Sequence, residues 1–190
     1  MSLEEKVGAV EGLFQKLDQE ISRFQSDSGL HCKLGCGKCC FKPDIEATTL
    51  EFLPFAFYLH QEGKTDAWYE KLKMTNSTVC LILNPTQAGA GLCSEYPHRG
   101  LICRLFGYSA RLNKYSRKEL ITCTIIKTEQ QKAFEEAESK IAAGADVPVM
   151  SHFYTQLHSI DPDLSRDSYP INTALRKAVE YVMHQVAYRA

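Results

Sequence analysis

Apolar side chains stand at Leu3, Val7, Val10, Phe14, Leu17, Ile21 and Phe24, in alternating steps of four and three, with Leu13 widening the stripe. That spacing lines one face of a helix and predicts an α-helix over residues 3 to about 27. Gly29 is placed to stop it. The apolar face needs cover. A packed core helix suits it better than a coiled-coil dimer, because the stripe spans only about three heptads.

After a polar, cysteine-rich stretch closed by Pro43, a second apolar run begins. Thr48 with Glu51 offers a capping box for a helix to about Gln61, with Gly63 just beyond. Pro54 either kinks that helix or moves its start later. Thr65 is placed to cap a short helix from Asp66 to Met74. Residues 78–83 are β-branched and aliphatic enough for a strand. Asn84-Pro85 and the glycines at 89 and 91 then mark turns. Residues 91–96 predict a second short strand, 97–106 a helical turn, and 108–112 with 119–124 a hairpin across Asn113-Lys114.

The last third returns to helical spacing. Thr128 with Gln131 predicts a helix to about Ala143, ended by Gly144. Pro148 is placed in the first turn of a helix to about His158. A polar loop over 160–169 follows, with Asp161-Pro162-Asp163 as a turn. Pro170 opens a final helix through Tyr188, with Ile171, Leu175, Ala178, Val182 and Val186 on one face and Ala174, Val179 and Met183 beside it. The prediction is a mainly α fold: helices packed around a small Cys-rich irregular segment with minor β structure. No repeat divides the chain, so residues 1–190 read as a single domain with its Cys-rich core at about 31–123.

Charge and composition narrow the function. A net charge of −1 gives no electrostatic footprint for nucleic acid. No apolar run is long enough to span a bilayer. The first residues lack the basic and apolar regions of a signal peptide, so a cytoplasmic location is expected. Thiols stay reduced there, and eight clustered cysteines then read as metal ligands before they read as disulfides.

Cys32, Cys36, Cys39 and Cys40 fall within nine residues, with glycines between them that allow tight folding. Cys80, Cys93, Cys103 and Cys123 follow at a distance. Thiolates select zinc, copper(I) or iron–sulfur clusters over magnesium and calcium. Structural zinc usually uses two separated Cys pairs. Bunched cysteines with a remote partner are closer to iron–sulfur ligation. An iron–sulfur cluster is therefore the favoured cofactor and zinc the alternative. Cys39 and Cys40 are neighbours whose side chains tend to diverge, so one can serve a first metal while the other bridges or faces a second. Eight thiolates suffice for two four-sulfur sites, or for one with sulfurs to spare. The spacing of the first three also resembles the cluster motif of radical SAM enzymes, but the repeated βα pattern of their barrel is missing. Arg99 and Arg104, beside Cys93 and Cys103, are placed to offset the negative charge of a thiolate site. His98 is a weaker candidate ligand, and His60, His152, His158 and His184 read as ordinary helix residues. Phe52, Phe55, Phe57 and Tyr58 read as core packing against the cysteine region.

These residues together resemble the YkgJ-type cysteine-cluster family, the CxxCxxCC zinc- or iron-chelating type. Its pattern opens with clustered cysteines ending in a Cys-Cys pair, matched by Cys32, Cys36, Cys39 and Cys40. A lone cysteine before aliphatics follows, matched by Cys80 ahead of Leu81-Ile82-Leu83. The last block is Cys-x-x-Tyr-x-x-Arg-Pro-x-x-Cys-Arg, matched by Cys93, Tyr96, Arg99, Cys103 and Arg104. The resemblance covers about residues 31–107. Gly100 replaces the family's proline and is expected to loosen that turn. Cys123 lies beyond the pattern, and its role is left open. The family is similar in part to flagellin lysine N-methylase. The resemblance implies metal binding by the seven matched cysteines, with Tyr96, Arg99 and Arg104 beside the bound cofactor. It names no reaction. A redox or group-transfer protein, a zinc-stabilised interaction module and a thiol switch at Cys39 and Cys40 all remain open, as do substrate, partner and oligomeric state.

Overall fold

A computed structural model of the chain describes residues 1–33, 36–87 and 90–188, with 85–87, 90 and 91 by backbone alone. The first apolar stripe forms α1, Leu3–Ser28. Ser2 and Glu5 close its N-terminus as a reciprocal capping box, and Gly29 ends it in the left-handed conformation at φ 71°. All eight stripe residues are buried. Leu3 to Ile21 join the larger of two apolar clusters, and Phe24 joins the smaller.

The larger cluster gathers α1 with α2 (Leu53–Gln61), α4 (Leu101–Leu105), α7 (Met150–Ile160) and α9 (Ile171–Ala187). Between α2 and α4 lies α3, Thr65–Met74, packed on α9. The smaller cluster is built from Phe24, Leu30, Ala110, Leu120, Ile126, Ala137, Ile141 and Val147. It engages α5 (Thr124–Glu129), α6 (Gln131–Ala142) and a hairpin of β4 (Ser109–Leu112) with β5 (Lys118–Ile121). Among the described residues two further antiparallel pairs form: β1 (Glu46–Thr48) with β6 (Ser168–Pro170), and β2 (Leu83–Gln87) with β3 (Ala90–Cys93). The fold is mainly α with minor β structure. No helix among the described residues is long and apolar enough to cross a membrane.

Several local expectations are corrected. The first predicted strand lies at 83–87 instead of 78–83. Asn172, at the start of α9, explains the shift. Its side chain accepts from the Leu81 amide at 2.9 Å and donates to the Ser77 and Val79 carbonyls at 2.8 and 2.9 Å. One side chain thereby satisfies backbone groups that a strand partner would otherwise take. Asn84-Pro85 consequently sits inside β2, where a two-stranded edge tolerates proline. The turn expected at Gly89 lies outside the described residues.

Three caps also differ. Pro54 does delay α2, and Thr48, paired in β1 with Ser168, donates to Glu51 instead of capping a helix. Thr65 is the first residue of α3, and its hydroxyl has no partner. Thr128 is inside α5, whose cap is Cys123, and donates back to Thr124. Pro148 stays outside α7, since its carbonyl takes the Ala110 amide at 2.8 Å. The polar loop contains a short helix α8, Pro162–Ser165, capped by Asp161. Asp161 also pairs with Lys6 of α1 at 2.6 Å.

Gly100 precedes α4 at φ −65°, a conformation open to any residue. Space, not backbone freedom, requires glycine here. A Cβ would stand 2.9 Å from Phe52 Cζ, 3.1 Å from Phe52 Cε1 and 3.3 Å from a Glu51 carboxylate oxygen. Glycine therefore lets α4 pack closely on the buried Phe52 ring, which corrects the expectation of a loosened turn. Gly100→Ala is expected to destabilise the protein by about 1–3 kcal/mol through overpacking. Equilibrium urea unfolding checks this, and an unchanged midpoint would contradict the contact.

Candidate metal centre

The first cysteine cluster lies between the end of α1 and β1. Cys39 and Cys40 occupy one 3-10 turn, Lys38–Phe41, entered through Gly37 at φ 53°. That turn rests against β3, which ends at Cys93. The Sγ atoms of Cys39 and Cys40 are 3.9 Å apart. Cys32 is anchored by its backbone: Tyr108 Oη receives its amide, and Gln25 also bonds that hydroxyl. The flanking backbone of His31 exchanges two hydrogen bonds with the Gln130 side chain, at 3.0 and 2.6 Å. Lys33 pairs with Glu129 at 2.6 Å. The carboxyl end of α5 thus holds residues 31–33 in place.

Charge interactions show which sulfurs lie in one region of the fold. Cys32 interacts with Cys36, Cys123 and Cys39. Cys40 interacts with Cys39, Cys103 and Cys80, and Cys93 with Cys39. Cys103 interacts with Cys80 and Cys93. Sulfurs separated by up to 91 residues are therefore near one another. The set runs from exposed Cys32 and Cys39 to buried Cys80.

Burial sets the protonation of these thiols. It pushes Cys32 up to about 11, with the neighbouring cysteines adding to the rise. It also pushes Cys80 up to about 11, against amides that favour the thiolate. Cys103 rises further for the same reason. The Cys39–Cys40 pair splits: the hydrogen bond from Cys40 holds Cys39 down, and the same bond drives Cys40 up. Such a pair loses one proton readily and the second with difficulty. Several thiolates can be buried together only if a cation neutralises them.

Among the described residues, no three His, Cys, Asp or Glu side chains stand close enough to hold a metal ion as placed. The donor chemistry nevertheless suits a soft metal: all eight free cysteines belong to one chain of neighbours, and none is in a disulfide.

The predicted arginines divide. Arg99 interacts electrostatically with Cys39, Cys93 and Cys103. Its guanidinium stacks 3.4 Å over the Tyr96 ring, and its Nε donates to the Tyr96 carbonyl at 3.0 Å. Arg104 is occupied elsewhere. It is buried, pairs with Asp18 of α1, donates to the carbonyls of Arg99 and Pro97 at 3.0 and 2.6 Å, and packs over Phe14. Arg104 thereby ties the loop carrying Arg99 to α1. His98 stacks on Tyr58 with ring centroids 4.2 Å apart.

Sequence reasoning missed Glu51 as part of this region. It is fully buried and accepts from the amide of Ile102 at 2.8 Å, so it caps α4, the helix that carries Cys103. It also accepts from the Thr48 amide at 2.9 Å and bonds the Tyr154 hydroxyl. Burial pushes its carboxyl up to about 7, while these donors pull the other way. The spacing from Thr48 was the only signal, and it pointed to a local capping box.

No curated protein and no solved structure matches the chain. A family model described as "Putative zinc- or iron-chelating domain" matches residues 31–140. That stretch contains all eight cysteines, Cys123 included. It exceeds half of the 190 residues, and the chain therefore belongs to the CxxCxxCC family.

Proposed function

We propose that the gathered cysteines hold an iron–sulfur cluster and that the protein works in electron or group transfer. The observation that carries this reading is that Cys80, Cys93 and Cys103, from distant parts of the chain, lie within electrostatic reach of the bunched Cys39–Cys40 pair. Bunched plus remote ligation is the iron–sulfur pattern. A bound cluster would supply a one-electron redox centre. The chain's own residues have supporting roles. Arg99 offsets thiolate charge, and Arg104 positions its loop.

Zinc is the second reading, because soft thiolates suit it as well and four of them make a closed tetrahedral site. In that case the protein is a metal-stabilised interaction module. Anaerobic purification with elemental analysis and visible absorption separates the two. The expected sample is coloured, contains iron and bleaches on reduction. A colourless sample with stoichiometric zinc and no iron would replace the cluster by the zinc module.

A further inference from the structure

We infer that the tip of the β4–β5 hairpin is a docking finger for an acidic segment of another protein. Residues 111–119 carry four basic side chains, Arg111, Lys114, Arg117 and Lys118, and one acidic, Glu119, in a chain whose net charge is −1. The finger is therefore positive on a protein that is otherwise acidic. Glu119 is already engaged. It pairs with Arg111 at 3.1 Å and accepts from the Asn113 amide group at 2.9 Å. No carboxylate among the described residues pairs with Lys114, Arg117 or Lys118. Two apolar side chains stand among these cations: Tyr115 is 69 % exposed and Leu112 42 % exposed.

The tip is held in one shape. Asn113 donates its backbone amide to the Arg117 carbonyl at 2.9 Å, and its own carbonyl accepts the Ser116 amide at 2.9 Å. Its side-chain oxygen accepts the Tyr115 and Arg117 amides at 2.9 and 3.1 Å. Ser116 takes the left-handed position at φ 58°, where a three-residue hairpin loop usually places glycine. A loop fixed in this way loses little freedom on binding. That advantage counts against a partner of defined shape and is wasted on a fluid surface.

The same side chains favour protein over other polyanions. The Lys114 ammonium lies 4.9 Å from the centre of the Tyr115 ring and covers one of its faces. The ring is therefore a poor platform for stacking bases. Three unpaired cations also neutralise only a few phosphates. One leucine and one half-covered tyrosine bury too little apolar area to anchor in lipid. Tyrosine and arginine around a small apolar centre, by contrast, are the side chains that protein interfaces favour. The small contact area suits a transient complex. The acidic segment it fits carries an apolar residue to meet Leu112.

Fluorescence anisotropy at low salt, on the full chain, tests this with a labelled glutamate-rich peptide bearing a central leucine. The comparison probes are the same peptide with glutamine for glutamate, a single-stranded oligonucleotide, and phosphatidylglycerol vesicles read by co-sedimentation. The acidic peptide is expected to bind, to lose affinity as salt rises, and to outcompete the others. Lys114→Glu with Arg117→Glu is expected to weaken it by roughly tenfold or more, and Tyr115→Ala by a smaller factor. Equal binding by wild type and the double variant overturns the assignment, as does no binding of the acidic peptide. Salt-independent binding by the wild type, which needs no variant, also overturns it. Tighter binding of the oligonucleotide or the vesicles rules out the protein partner. A dimer in sedimentation velocity that the double variant abolishes gives the tip to a second copy of this chain instead, and likewise overturns the assignment.

Discussion

Cys103→Ser is expected to lose metal and to melt at a lower temperature in the same preparation. Cys103 sits on α4 between the Cys40–Cys80–Cys93 group and buried Glu51, where burial already disfavours its thiolate. A bound cation reverses that preference, so metal affinity becomes folding energy. Structural thiolate sites contribute about 10–16 kcal/mol of apparent binding energy. Losing even a third of that removes about 3–5 kcal/mol, or roughly 6–20 °C in Tm for a chain of this size. Serine is close in size but stays protonated near neutrality, so the variant removes the ligand with little change in packing. Scanning calorimetry with elemental analysis makes the comparison. Chelated wild type should melt no higher than the variant. Unchanged metal and Tm would remove Cys103 from the site.

Glu51→Ala is expected to destabilise the protein by about 3 kcal/mol or more, because it orphans buried donors. The carboxylate receives the Thr48 and Ile102 amides and bonds Tyr154 in a fully buried position. Each buried amide left unpaired costs about 1–3 kcal/mol. Glu51→Gln keeps one oxygen but turns an NH2 toward a donor, so an intermediate loss is expected. Metal content should fall along with stability, because the Ile102 amide orients the helix bearing Cys103. Urea unfolding of the three chains measures the order. Equal stability of wild type and Glu51→Ala would show that water replaces the carboxylate.

The two variants also distinguish what the sequence showed from what it hid. Cys103 was identified as a candidate by spacing and resemblance alone. Glu51 was not, because its role depends on Ile102, 51 residues away. The same holds for Asn172, which satisfies the backbone at 77–81 from the start of α9 and moves the strand from its predicted place. Local capping rules failed at Thr48 and Thr128, where a tertiary partner or a neighbouring cap took over, and at Thr65, which lies one residue inside its helix. At Gly100 the sequence predicts a looser turn, yet the approach of Phe52 decides it.

Periodicity alone specified α1, α9 and the mainly helical architecture, since a 3.6-residue repeat of apolar side chains needs no knowledge of its partner. Residue chemistry alone pointed to metal chelation, since clustered thiols are donors for soft metals, and the family model agrees. Which sulfurs meet, which arginine faces them and where Cys123 stands were decided only by packing. Those facts depend on chain segments distant in sequence being brought together by two apolar clusters, and no local pattern encodes that distance.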